Sequence, residues 1–282
     1  PYNKNKTLQI RNGGNDNYCR IIDPALQTIV ARSGIDLDCQ SYKPVFVYFN
    51  GKLYDVLNMR EPNNKHFAEA NFGIDNEEMD QFEYSPDSAY CQMEGTKDMF
   101  NHWYELSKNA SNDAVYEQIK QIVDIDEFIN YMAVELYLCT GDWARNNVKG
   151  FRSRNDGKFH FVLFDTDSTG ETDNSFATLR SRKKYLCDSL YGINGVTPWQ
   201  TGDKISCENK LVQIFFNMLN NEDFRTKFVN SFCVIVGSVF TPTRVKSIIN
   251  DMVVYMNKGL QLDGASCTSS ANVIISKLNA DH

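Results

Sequence analysis

The sequence lacks the signals that would assign it to several common classes of binding protein. Its eight cysteines include no Cys-x-x-Cys pair, which counts against a zinc ribbon or a thioredoxin-type site. It has no basic tract, and its formal net charge of −7 disfavours a general nucleic-acid partner. Its longest apolar run, residues 232–240, is too short for a membrane span, and its first residues contain no signal-peptide core.

What the chain does have is enough apolar material for a folded core. It contains 282 residues, of which 42% are hydrophobic. That length favours one domain or two closely packed lobes. No internal repeat or low-complexity tract interrupts it.

The first part of the chain has the pattern of a small β-rich lobe. Residues 7–11 alternate like a strand, and residues 43–59 form two β-rich runs around an Asn-Gly turn. Between them, Asp23 before Pro24 predicts the N-cap and first residue of a helix that stops at Gly34. We therefore predict strands and one helix here.

The rest of the chain has mainly helical periodicity. The predicted helices occupy residues 96–108, 113–123, 126–139, 209–220, 222–237 and 242–257. Residues 60–95 are predicted to connect the two parts. Residues 168–208 are polar and weakly periodic, which predicts a long, loop-rich segment.

Four of the cysteines support separate interpretations. Cys139 and Cys233 lie on the apolar stripes of predicted helices, so we interpret them as small buried hydrophobic residues. Cys187 and Cys207 lie in a polar, glycine-containing stretch instead. A disulfide that closes this loop is compatible with that position, and two free thiols are the alternative.

Acidic and amide side chains gather at one end of a predicted hairpin. Its strands are residues 148–153 and 158–164, joined by the turn "RNDG". Asp142 and Asn147 precede the first strand and Asp165 follows the second. We expect these three side chains to lie close together, where like charges repel unless a cation binds among them.

The order of these residues is that of a phosphotransferase site. Protein kinases and their small-molecule relatives have a helix, a D-x-x-x-x-N catalytic loop, a hairpin and then a metal-binding Asp. Asp142 and Asn147 have that spacing, although it is expected about twice by chance in such a chain. The hairpin, the downstream D-T-D and the preceding β-rich lobe make it more specific. A polar surface turn beside an ordinary hairpin is the alternative.

The same residues resemble a known family. The stretch "GDWARNNVKGFRS…GKFHFVLFDTDSTG" resembles the catalytic core of the CotH kinase family, the spore-coat protein H type of atypical kinase. That family shows a D-W-x-x-N-N stretch followed by a hairpin and a D-x-D. The blocks "VFVYFNGKLYDVLNMRE" and "FTPTRVKSIINDM" resemble its small lobe and C-terminal helices, so the resemblance covers most of the chain.

The resemblance implies an α+β, two-lobed, protein-kinase-like fold. Residues 1–62 would form a small β-rich lobe with one helix, and residues 63–282 a larger helical lobe. Residues 168–208 would correspond to the activation segment, where substrate binds. The chain starts at what would be a late strand of the small lobe and has no Gly-rich loop. The segment that covers the nucleotide phosphates is therefore expected to be missing or to belong to a longer parent protein.

The resemblance also assigns catalytic and metal-binding roles. Asp142 would be the general base, and Arg145 would contact the transferring phosphate, with a salt bridge to a nearby acid as the alternative. Asn147, Asp165 and Asp167 would hold Mg²⁺ or Mn²⁺, with a supporting position beside the metal as the alternative for Asp167. These assignments imply that the protein uses ATP.

Two further residues are candidates for nucleotide binding. Glu61 corresponds to the acid that connects the lobes in the family, and Arg11 to its phosphate-facing basic residue. The alternatives are an exposed loop glutamate and a solvated strand residue. The first helix has no obvious Glu that could pair with a basic residue of a strand. Asp23 is a poor substitute, because it has the position of an N-cap.

The sequence is compatible with three functions. The leading one is ATP-dependent phosphoryl transfer to Ser or Thr of a protein substrate. A small-molecule kinase is a second enzyme hypothesis. The third is an inactive CotH-like module that binds partners within a multi-modular protein, but such a module has no physical reason to retain Asp142, Asn147 and Asp165. The family resemblance implies an extracellular, cell-surface or spore-coat location.

Overall fold

The computed structural model describes residues 7–16, 20–85, 89–138, 140, 143–144, 146–155, 157–169 and 209–260. The chain divides into two compact units by its contacts. The first unit comprises Pro1–Gly73, Leu163–Ser168 and Val234–His282, and the second comprises Ile74–Val162 and Thr169–Cys233. The two-lobed arrangement and the predicted lobe limits at residues 62 and 63 stay predictions.

The described residues form strands and helices in both units. The strands are β1 (Gln9–Arg11), β2 (Asp38–Cys39), β3 (Tyr42–Phe49), β4 (Lys52–Arg60), β5 (Met79–Ser85), β6 (Ala89–Glu94), β7 (Val148–Ser153) and β8 (His160–Leu163). The α-helices are α1 (Ile22–Ala31), α2 (Lys65–Phe72), α3 (Asp98–Ser107), α4 (Asp113–Ile119), α5 (Ile125–Leu138), α6 (Lys210–Met218), α7 (Glu222–Val234) and α8 (Pro242–Leu260). A short 3₁₀-helix covers Asn76–Glu78 and a π-helix covers Ile235–Val239.

The first unit contains an antiparallel sheet in the order β1-β4-β3. The predicted Asn-Gly hairpin is confirmed: Asn50 has φ of 50° and Gly51 has φ of 76°, which suits a tight turn between twisted strands. In the register of β1 and β4, Arg11 lies opposite Asn58. The sheet therefore presents Arg11 at the end of a short strand.

Helix α1 packs in the core of the first unit with α8, which also contacts β4. Its Leu26, Ile29 and Val30 are fully buried, as the predicted apolar stripe requires. The predicted N-cap is wrong, because the cap position is Ile21 and Asp23 lies inside the first turn. The carboxylate of Asp16 accepts the Ile21 and Ile22 backbone N–H groups at 2.7 and 3.0 Å, so Asp16 satisfies the helix start.

The second unit contains antiparallel strands that are neighbours in the order β8-β7-β5-β6. The hairpin β5–β6 falls within residues 60–95, so the prediction of a mere connection there is wrong. The sequence pattern did not indicate β5, because two of its buried residues, Asp80 and Gln81, are polar. Asp80 pairs with Arg152 of β7 at 2.8 Å. The predicted hairpin β7–β8 is confirmed.

A cluster of aromatic rings forms the core of the second unit. The ring centroids of Phe82 in β5 and Phe100 in α3 are 4.7 Å apart, and those of Trp103 in α3 and Phe128 in α5 are 5.0 Å apart. Tyr131 of α5 stacks on Phe161 of β8 at 5.0 Å. These contacts hold α5 against the hairpin that follows it in sequence.

The predicted helices after residue 96 are confirmed within a few residues, except that α7 ends at Val234 and a π-helix follows. Cys233 is exposed, so its interpretation as a buried hydrophobic residue is wrong. Cys139, Cys187 and Cys207 lie outside the described residues. The described residues make a mixed α+β protein with two sheets and eight α-helices, compatible with a kinase-like fold.

No described helix is by itself long and apolar enough to cross a membrane. The bent pair of Glu222–Val239 and Pro242–Met256 reaches the length and composition of a span only when both parts are counted together.

Candidate active site

The proposed catalytic residues of the D-x-x-x-x-N loop are only partly described. Asp142 and Arg145 lie outside the described residues, as does 170–208, so their roles stay predictions. Asn147 belongs to the second unit, whereas Asp165 and Asp167 belong to the first. The expected convergence of these side chains on one metal ion also stays a prediction.

Contacts within the second unit anchor the described part of the catalytic loop. The indole N–H of Trp143 donates to the Tyr131 hydroxyl oxygen at 3.0 Å, and Tyr131 is fully buried in α5. The Asn209 side-chain amide donates to the Ala144 carbonyl oxygen at 2.5 Å. These hydrogen bonds hold Trp143 against α5 and Ala144 against Asn209 at the start of α6. Trp143 therefore makes a structural contact.

Asn147 occupies a restricted position at the start of β7. It is 5% exposed, and its φ of 59° places it in the left-handed region, which Asn tolerates better than most residues. The fully buried Val148 follows it directly. The backbone of Asn147 is therefore restrained where β7 begins.

Asp165 has the same kind of backbone position at the end of β8. Its φ is 56°, and it follows the buried residues Leu163 and Phe164. The Arg11 guanidinium forms an ion pair with the Asp165 carboxylate and lies 3.7 Å from the Asp167 carboxylate. The structure thus brings together three of the predicted site residues, and Arg11 is not merely a solvated strand residue.

Asp167 is held by the turn that follows β1. The backbone N–H of Asn15 donates to it at 2.8 Å, and the Asn15 side-chain amide does so at 3.3 Å. Gly14, with φ of 64°, lies so close that a side chain there would collide with the Asp167 carboxylate. Burial raises the pKa of Asp167 to about 6, and the Asn15 N–H opposes this.

A buried ion pair fixes the middle residue of the D-T-D segment. Asp23 of α1 accepts the Thr166 backbone N–H at 2.9 Å and the Thr166 hydroxyl at 3.1 Å. The Arg60 guanidinium donates to the other carboxylate oxygen of Asp23 at 2.5 Å. Asp23 therefore positions the segment between Asp165 and Asp167, a role that the sequence analysis missed because Asp before Pro indicated a cap.

Glu61 is buried rather than exposed, with 6% of its surface accessible. Burial raises the pKa of its carboxyl, and a hydrogen bond from Asn71 opposes the shift. Its carbonyl oxygen accepts the side-chain amide of Gln40 at 3.0 Å. The alternative of an exposed loop glutamate is therefore wrong, and nucleotide binding by Glu61 stays a prediction.

Two of the proposed metal ligands lie close to the same arginine. Carboxylate oxygens are suitable ligands for Mg²⁺ or Mn²⁺, and Asp165 and Asp167 lie beside one cation, Arg11. The raised pKa of Asp167 follows mainly from its burial, with smaller contributions from the carboxylates of Asp165 and Asp23. No group of three or more His, Cys, Asp or Glu within the described ranges has the arrangement of a metal site.

Comparison with models of known protein families gives a match over most of the chain. The family model described as CotH kinase protein matches residues 5–273, a range that includes every candidate site residue. A search of curated proteins finds no match to this chain.

Proposed function

The chain belongs to the CotH kinase family, and we propose that it is an ATP-dependent phosphotransferase that acts on Ser or Thr of a protein. The observation that carries the proposal is the D-T-D segment. Its two acids lie beside Arg11 and its middle residue is clamped by Asp23. Charged groups held this firmly suit a reaction that depends on positioning and electrostatic stabilisation.

Each residue has a separate role in the proposed reaction. Asp142 accepts the proton of the attacking hydroxyl and orients it, and Arg145 contacts the transferring phosphate. Asn147, Asp165 and Asp167 would hold the divalent cation, which when bound neutralises charge on the β- and γ-phosphates. Arg11 lies beside the two acids, where its guanidinium can also contact a phosphate.

The same family membership supports the remaining parts of the proposal. Glu61 would contribute to nucleotide binding from its buried position after β4. We place the protein outside the cell, at a cell surface or in a spore coat, because of the resemblance alone. Other modules of a larger parent protein would then be natural partners.

Loss of the general base provides the decisive test. Asp142→Asn should bind nucleotide with nearly unchanged affinity while the transfer rate falls by a factor on the order of 10² or more. Transfer is followed by intact mass after incubation with ATP and Mg²⁺ or Mn²⁺, and nucleotide affinity by calorimetry. Asp126→Asn, which alters an exposed aspartate of the same unit, is the matched control.

The result separates the competing functions. Retained transfer in Asp142→Asn would refute the assignment of the base. Nucleotide binding by the wild type without transfer to itself, to proteins or to small hydroxyl compounds would favour the inactive binding module.

The metal-binding role of Asp165 needs its own measurement. Mg²⁺ added with ATP should raise the melting temperature of the wild type, because a ligand that binds the folded state stabilises it. Asp165→Ala should lose the metal-dependent part of that rise. Equal metal-dependent shifts in both proteins would show that these acids do not hold the cation.

A further inference from the structure

Asn209 joins the start of α6 to the catalytic loop within the second unit. It is the N-cap of α6 and is fully buried. Its side-chain oxygen accepts the backbone N–H groups of Leu211 and Val212 at 2.9 and 3.3 Å, which satisfies two donors of the helix start. Because that oxygen faces the helix, the side-chain nitrogen is the atom that donates to the Ala144 carbonyl oxygen, at 2.5 Å.

Helix α6 gives this contact a rigid base. Its Leu211, Ile214 and Phe215 are fully buried. The ring centroids of Phe215 and Phe228 in α7 are 4.9 Å apart, so α6 packs against its neighbour in the core. A close-packed core resists displacement of its helices. The start of α6 therefore holds the Asn209 amide in one orientation.

Helix α5 holds the neighbouring residue of the loop. The indole N–H of Trp143 donates to the hydroxyl oxygen of the fully buried Tyr131 at 3.0 Å. Two adjacent loop residues are thus bound to two different helices of one unit. Asp142 precedes this pair in the sequence and Arg145 follows it. The chain between the proposed base and the proposed phosphate contact is consequently restrained at both of its residues.

Capping of α6 does not by itself require asparagine. Aspartate and serine cap helices about as well, because their side-chain oxygens accept the same backbone N–H groups. A carboxylate, however, has no N–H to donate, and the serine hydroxyl is too close to the backbone to replace the amide nitrogen. The contact with Ala144 therefore depends on a property that the cap does not use.

We propose that Asn209 is a positioning residue for the phosphoryl transfer, because its amide fixes the Ala144 carbonyl and with it the backbone between Asp142 and Arg145. This role rests on the proposed function. Asn209 acts through the loop and not by contact with the nucleotide. Loss of its N–H should therefore lower the rate of transfer and leave nucleotide affinity unchanged, since a displacement of about 1 Å can cost about a hundredfold in rate.

Asn209→Asp separates positioning from capping. It retains the length of the side chain and the cap but removes the N–H that Ala144 accepts. We expect kcat to fall by about tenfold or more while ATP affinity stays within about twofold of the wild type. Asn209→Ser should do the same without adding a buried charge, and it decides the test if Asn209→Asp does not fold. Asn112→Asp is the matched control, because Asn112 is an exposed N-cap of α4 that accepts the Ala114 N–H at 2.9 Å.

A measurement without nucleotide reports on the loop itself. The indole N–H of Trp143 should exchange with solvent about tenfold faster in both Asn209 variants, because a loop that has lost one of its two anchors opens more often. The exchange is followed by NMR on protein with ¹⁵N-labelled tryptophan, and Trp143→Phe assigns the signal. Asn112→Asp should exchange as the wild type does.

The outcomes distinguish this role from the proposed function. Slower transfer at unchanged ATP affinity, together with faster Trp143 exchange, supports positioning by Asn209. If the wild type is active and Asn209→Asp matches it in both measurements, Asn209 only caps α6 and the proposal is overturned. A rate that falls only as far as the folded fraction, measured by circular dichroism, also overturns it. A wild type that transfers no phosphate refutes the proposed function instead, and the positioning role with it, whatever the Trp143 exchange shows.

Discussion

Replacement of Arg60 by Met should destabilise the first unit more than any surface change. The Arg60 side chain is 1% exposed and the Asp23 side chain 4%, and they form an ion pair at 2.5 Å. Methionine retains the unbranched apolar part of arginine but leaves the Asp23 carboxylate buried without its cation. Removing one partner of such a pair costs about 3–5 kcal/mol, because the remaining charge stays desolvated.

The cost should depend on pH. Burial alone would raise the pKa of the Asp23 carboxyl, but Arg60 and the Thr166 N–H outweigh it, so this pKa lies below its usual value. In the wild type, the stability from this group is present above the unfolded pKa of about 3.9 and is lost as pH falls through the folded pKa. In Arg60→Met, burial should raise the pKa, and protonation then relieves the unpaired charge. The difference between the two proteins should therefore shrink from pH 7.5 toward pH 4.5.

Hydrogen exchange in increasing urea measures this locally, through peptides from α1 and β4. Lys108→Met is the control: it breaks an exposed ion pair to Glu105 of 2.8 Å in the second unit and should leave the exchange of these peptides nearly unchanged. Asp23→Asn combined with Arg60→Met should recover part of the loss, since no buried charge remains. A loss below about 1 kcal/mol in Arg60→Met, or a loss that does not change with pH, would refute the reasoning.

Three further predictions concern other parts of the molecule. Gly14→Ala and Gly34→Ala both place alanine at positive φ, which costs about 1–2 kcal/mol of stability. Only the alanine at position 14 would also collide with the Asp167 carboxylate, so Gly14→Ala should be the more destabilising. Equal losses of stability would contradict this close approach. Burial raises the pKa of Asp167 to about 6 in the folded protein, so the stability that this group contributes falls as pH rises from about 4 to 6. With a chelator present, Asp167→Asn should therefore become more stable relative to the wild type across that pH range. A difference in urea unfolding that does not change with pH would contradict the raised pKa. A non-reducing peptide map should link Cys187 to Cys207, with stabilisation of roughly 3 kcal/mol for a loop of about 20 residues, and two free thiols in an oxidised sample would exclude the bond.

Local patterns predicted the elements whose signals lie within a few residues. The Asn-Gly turn predicted β3 and β4, because Asn and Gly tolerate the two positive φ angles of a tight turn that matches the twist of the strands. Apolar spacing predicted α1 and the helices after residue 96. The same spacing rules missed β5 and β6, because Asp80 and Gln81 are polar yet buried. The groups that compensate the burial of Asp80, the Arg152 guanidinium and the Thr96 backbone N–H, lie outside its own strand.

The candidate site divides in the same way. The sequence by itself named Asp165, Asp167 and Asn147 as candidate metal ligands, because their spacing around a hairpin and the family resemblance are properties of adjacent residues, and their role as ligands stays a prediction. The tertiary structure alone decided that Arg11 pairs with Asp165 and that Asp23 clamps Thr166, across 154 and 143 positions of the chain. Propensity and spacing act over one or two turns of backbone, whereas ion pairs of this kind form only after the sheet and α1 have packed.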